Sequence, residues 1–171
     1  MPELFDPARL APDLAGEGKR ARYAELADEI AAVLEGEGDR TARMATVAAM
    51  LAQSFPGRFF WTGFYVVDAG RGDELVVGPY QGTLGCLRIA FGRGVCGAAA
   101  ARGETVVVDD VDAFPGHIAC DARSRSEIVV PVRDATGRLI AVLDVDSTQP
   151  AAFDADDRAG LEAVVARLFG R

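Results

Sequence analysis

The sequence predicts one α+β domain, an antiparallel sheet covered by helices. Three observations lead there. The chain has 171 residues, half of them hydrophobic and 26% charged, which is ordinary globular composition with enough length for one core. Its two ends carry apolar residues at helical spacing. Between them lie strand-like runs joined by tight turns, and consecutive strands so joined pair antiparallel.

Residues 1–20, with Pro2, Pro7 and Pro12, are expected to form an irregular arm, leaving 21–171 as a single domain. In the first helix Tyr23, Leu26, Ile30, Val33 and Leu34 recur on one face until Gly36 and Gly38 stop it. A second helix starts near Asp39 or Thr41, either a suitable cap, and buries Met44, Val47, Leu51 and Phe55 before Pro56-Gly57. FFWTGFYVVD (59–68) and ELVVGPYQG (74–82) then form a hairpin, aromatic and β-branched. LRIAF (87–91) is a short strand, Gly94 to Arg102 a short helix, and TVVVDD (105–110) another strand. A loop of about sixteen residues, Val111 to Ser126, precedes a second hairpin, EIVVPV (127–132) with LIAVLDVDS (139–147). Loops that long in a small domain tend to be functional or disordered. Asp154 caps a last helix that buries Leu161, Val164, Val165, Leu168 and Phe169. Nothing repeats, and no linker divides the chain.

A formal net charge of −8 leaves no basic footprint for nucleic acid or an anionic membrane. The N-terminus lacks an apolar signal core, and no apolar run reaches the roughly 18 residues of a membrane span. The protein is therefore expected in the cytoplasm. In that reducing compartment three cysteines do not build a structural disulfide framework, so each is core filler or chemistry.

Gly92, Gly94 and Gly97 fit G-x-G-x-x-G, but a dinucleotide site also needs a parallel βαβ unit and a later acid. With a short helix and an antiparallel sheet, these glycines instead serve a tight turn and close helix packing. Cys120 is the better candidate. It sits in the long loop three residues after His117, the sole histidine, with Arg123 and Arg125 following. Nearby cations favour the nucleophilic thiolate; a buried structural thiol is the plain alternative. Cys86 and Cys96 flank LRIAFGRGV, where either could fill the core, Cys96 the more so because it starts the alanine-rich helix. A zinc site from the cysteines and His117 lacks any C-x-x-C pair, so no metal is expected.

Asp144 and Asp146, two apart on one strand, share a face with Ile140 and Val142, while Glu127 opens the neighbouring strand. They are either solvent-facing strand ends or a converging trio. A trio would raise each other's pKa, keep one acid protonated as a general acid, and bind an ammonium group. Trp61 and Tyr65 alternate onto one face and would wall such a pocket or pack in the core.

The runs WTGFYVVD, GPYQGTLGCLRIAFGRGVCG, PGHIACDARSRSEIVVPV and AVLDVDS resemble the free methionine-(R)-sulfoxide reductases, single-domain GAF proteins, across about residues 59–147. The departures, such as Pro115 and Ala141, are minor. The resemblance implies a GAF-like fold, Cys120 as nucleophile, Cys86 as the main resolving thiol, and Cys96 as a third cysteine shared with the family's site. It matches Glu127, Asp144 and Asp146 to acids that contact the sulfoxide oxygen and amino group, and Trp61 and Tyr65 to pocket aromatics. It further implies a thioredoxin-type reductant and no cofactor, and is compatible with a homodimer. The rival class is a GAF module that senses a small molecule or oxidant without turnover; fold does not separate the two.

Overall fold

The computed structural model describes residues 14–118 and 120–170. Pro2, Pro7 and Pro12 therefore lie outside the described residues. Helix α1 (Gly16–Val33) already includes residues 16–20, which were expected in the arm. The reason is an anchor that the sequence hid. Buried Lys19 donates to Asp154 at 2.7 Å and to Asp157 at 2.9 Å, tying the first turns of α1 to the last helix.

Helix α2 (Arg40–Ser54) is capped by Asp39, whose carboxylate accepts from the Ala42 N–H at 2.8 Å. It buries the expected Met44, Val47 and Leu51, with Phe55 following. Helix α3 spans Gly94–Arg102. Helix α4 (Ala155–Phe169) opens with a capping box between Asp154 and Asp157. Asp157 is fully buried and also accepts from Arg58 at 2.6 Å and from the Tyr23 hydroxyl at 2.9 Å.

Six strands form one sheet: β1 (Trp61–Val67), β2 (Glu74–Gln81), β3 (Arg88–Ala90), β4 (Val106–Val108), β5 (Ser126–Arg133) and β6 (Leu139–Ser147). Their order is β3-β2-β1-β6-β5-β4, and every pairing is antiparallel. Both expected hairpins form. The central β1–β6 pairing, which joins the first strand to the last, has no local signal in the sequence.

Each sheet face has its own core. Phe64, Ile128, Val130, Leu143 and Val145 pack under α1, α2 and α4. Trp61, Tyr65, Val129 and Val142 pack on the opposite face with α3 and the loops. Ile140 departs from the expected alternation. It belongs to the helix-covered core, because a register shift at Val132/Arg133 lets β6 turn an extra residue to that side. Val142 stays on the face of the aspartates. The Gly92–Gly97 segment serves close packing, as expected. The Gly92 N–H donates to Gly97 O at 2.8 Å, and a Cβ on Gly97 would collide with Ala90 O.

Candidate active site

The second face carries a cleft built by register. Trp61 on β1 pairs with Asp146 on β6, and Asp146 pairs with Glu127 on β5. Three residues distant in sequence thus lie in one row. Asp144, between Gly63 and Val129, is one row further along the same face, and Tyr65 pairs with Val142 beyond it. Gly63 keeps this region open, since a Cβ there would run into Tyr80 and Trp61.

These acids are not solvent-facing strand ends. Glu127 is 6% and Asp144 5% exposed, and Asp144 Oδ1 has no hydrogen-bond partner. Burial foremost, then the neighbouring Asp144 and Asp146 charges, pushes the Glu127 carboxyl well up. Burial and the Asp146 charge do the same to Asp144. Asp146 is raised to about 7 by burial, against which a Ser124 hydrogen bond acts. Protonated carboxyl groups at neutral pH are therefore available on the floor of the cleft.

Cys96, in the first turn of α3, is buried against this floor, with its Sγ 3.8 Å from Glu127 Oε1. Burial, then the charges of Asp144 and Glu127, raises its thiol far above the ordinary range, so it stays an S–H group. Single ligand atoms of Cys96, Glu127 and Asp144 lie within 4.8 Å of one another, the set a cation would meet. A zinc site from all three cysteines and His117 is not assembled.

Cys86 and Cys120 are instead joined in a disulfide, with Cα atoms 5.5 Å apart. Cys86 lies in the 82–87 connection and Cys120 in the long loop, which begins with a 3-10 turn at Val111–Ala113. Trp61 and Tyr65 do more than wall the cleft. The Trp61 indole donates to Thr83 O at 2.9 Å, and the Tyr65 hydroxyl accepts from the Cys86 N–H. The two rings stack with centroids 5.6 Å apart, and a Cβ on Gly85 would press on both. Thr83 Oγ1 reaches across to Asp121 at 2.7 Å, latching the two loops beside the disulfide.

The cations expected to activate Cys120 are engaged elsewhere. His117 faces Glu127 at 3.9 Å, and burial lowers its pKa, so it is neutral at pH 7. Arg123 pairs with Asp121 at 2.8 Å and covers the Phe60 ring at 4.8 Å. Arg125 is exposed, and its backbone pins the loop through Arg125 N to Ser147 O at 2.8 Å. Sequence proximity says nothing about where a loop side chain points. Ser124, Thr83 and Asp121 were missed because each acts on a residue brought near only by folding.

The GAF domain profile matches residues 25–170. A free methionine-R-sulfoxide reductase of Escherichia coli is 43% identical over 146 residues, covering 85% of this chain and 86% of that one. The chain belongs to the GAF-domain free methionine-R-sulfoxide reductase family. The free methionine-R-sulfoxide reductase of Neisseria meningitidis, solved with its substrate, is 51% identical, with 92% of each chain covered and a TM-score of 0.82. The Staphylococcus aureus enzyme, also solved with substrate, is 39% identical, covering 85% of this chain and 92% of that one with a TM-score of 0.78. Among the described residues of this family member, no helix is long and apolar enough to cross a membrane.

Proposed function

We propose that this protein reduces free methionine-(R)-sulfoxide to methionine in the cytoplasm, using Cys120 as nucleophile. The observation that carries the reading is the Cys86–Cys120 disulfide at the mouth of a cleft floored by buried acids. Cys120, as thiolate, attacks the sulfoxide sulfur while a protonated carboxyl of the Glu127/Asp144/Asp146 group gives its proton to the departing oxygen. The protonated oxygen passes from the methionine sulfur to the Cys120 sulfur as the transient bond between the two sulfurs breaks, so methionine leaves and Cys120 is left as a sulfenic acid. The Cys86 thiol condenses with it, releasing water and forming the disulfide. A thioredoxin-type dithiol then restores both thiols.

Free amino acid rather than peptide fits the polar groups. The unpartnered Asp144 oxygen and its acidic neighbours suit the substrate ammonium. The N–H groups of Gly94 and Val95, at the N-terminus of α3 on the same cleft, suit its carboxylate. Blocking the amino group would leave buried acids without a partner. The test is an epimer-resolved assay with dithiothreitol on free, N-acetylated and peptide-bound methionine sulfoxide. Turnover confined to the free R epimer is expected. Equal rates on free and N-acetylated substrate would refute the free-amino-acid reading. Binding without any turnover would favour a sensor.

A further inference from the structure

Among the described residues, three large apolar side chains are exposed: Val33 at 36%, Leu84 at 75% and Leu87 at 70%. Single exposed leucines are ordinary. Here the location matters, because Leu84 and Leu87 bracket Cys86, half of the disulfide, and the other half, Cys120, is itself exposed. The loop that carries the leucines is fastened from beneath. Trp61 holds Thr83 O, Tyr65 holds the Cys86 N–H, and Thr83 Oγ1 holds Asp121. With its inner side so occupied, the loop presents both leucines to solvent beside a bond that must be reopened in every cycle.

We propose that Leu84 and Leu87 form the docking surface for the dithiol protein that reduces the Cys86–Cys120 disulfide. This rests on the reductase reading above. A thiolate of the partner attacks one sulfur of the disulfide; the S–S bond breaks, and its electron pair goes to the other sulfur, which takes up a proton. The partner's second thiol then attacks the mixed disulfide, so the partner leaves oxidised and both enzyme cysteines end as thiols. The partner must therefore lay its own dithiol against this rim. Redox encounters of this kind are transient and bury less than about 1,200 Å², with the affinity concentrated in a few side chains. Two leucines beside the reacting bond match that scale.

Leu84 also borders the cleft, whereas Leu87 does not, so the test falls on Leu87. Leu87→Ser and Leu87→Asp would be assayed with purified thioredoxin as reductant and, separately, with saturating dithiothreitol. Val33→Ser, on α1, is the control for loss of an exposed apolar group. Losing most of one leucine's contact should lower kcat/KM for thioredoxin about tenfold in Leu87→Ser, and further in Leu87→Asp. The dithiothreitol-linked rate and the melting temperature should hold in both, and Val33→Ser should match wild type throughout. If both Leu87 variants stay within about twofold of wild type with thioredoxin, the docking surface is wrong. If thioredoxin fails on the wild-type protein while dithiothreitol sustains turnover, the partner class falls and the reductase stands. If neither reductant sustains turnover, the reductase reading fails and takes the docking surface with it.

Discussion

Replacing Asp146 by asparagine removes an ionisable group from the buried row and keeps an oxygen within reach of Ser124. In the folded protein burial lifts the Asp146 pKa from 3.8 to about 7. That rise corresponds to about 4 kcal/mol at about 1.4 kcal/mol per pKa unit. The folded value lies above the unfolded one, so the native state binds this proton more tightly. Its stabilising contribution is complete below about pH 4 and is lost as the pH climbs towards 7. Asparagine does not titrate. Asp146→Asn should therefore match wild type near pH 4 and become more stable as pH rises, by up to about 4 kcal/mol above pH 7. Glu127 and Asp144 ionise more readily beside a neutral neighbour, which adds to the gain. Urea unfolding in a phosphine reductant across this pH range measures the difference. A single-turnover assay should show the same variant losing roughly 10²-fold in rate, the usual scale of general acid catalysis. Parallel stability curves, separated by a constant amount at every pH, would refute the claim that Asp146 is held protonated by burial.

Two other predictions concern covalent chemistry and the frame. Cys120→Ser should be inactive with every reductant, whereas Cys86→Ser should release about one methionine per site in a single turnover yet stall with thioredoxin. Cys86→Ser/Cys96→Ser shows whether Cys96 substitutes at all, and mass spectrometry of the Cys120 peptide reports the trapped state. Full thioredoxin-linked turnover by Cys86→Ser would transfer the resolving role to Cys96. Asp157→Ala strands buried Lys19 and the partly buried Arg58 and should cost about 3–5 kcal/mol in denaturant unfolding. A loss below about 1 kcal/mol would mean the network contributes little net stability.

The sequence by itself determined the elements, because their signals are local. Period-two aromatic and β-branched runs gave β1, β2, β5 and β6, and Asp39 and Asp154 marked the starts of their helices through caps visible in the residue order. The chemical inventory was also legible: a loop cysteine, two more thiols, three acids and two aromatics. The resemblance of their motifs to a known family supplied the Cys86–Cys120 pairing that the structure contains.

Only the tertiary structure decided which way those groups point and what they touch. Pairing of β1 with β6 placed Trp61, Asp146 and Glu127 in one row, although β1 and β6 stand near opposite ends of the sheet-forming sequence. The same packing buried the acids, turned His117 towards Glu127, set Thr83 against Asp121, and made Trp61 and Tyr65 the anchors of the Cys86 loop. The register shift that moved Ile140 to the other core and the Lys19 anchor that lengthened α1 have the same origin. Propensity and periodicity act over a few neighbouring residues. Burial, long-range register and ion pairing depend on distant segments meeting, and it is these that set the protonation states on which the chemistry rests.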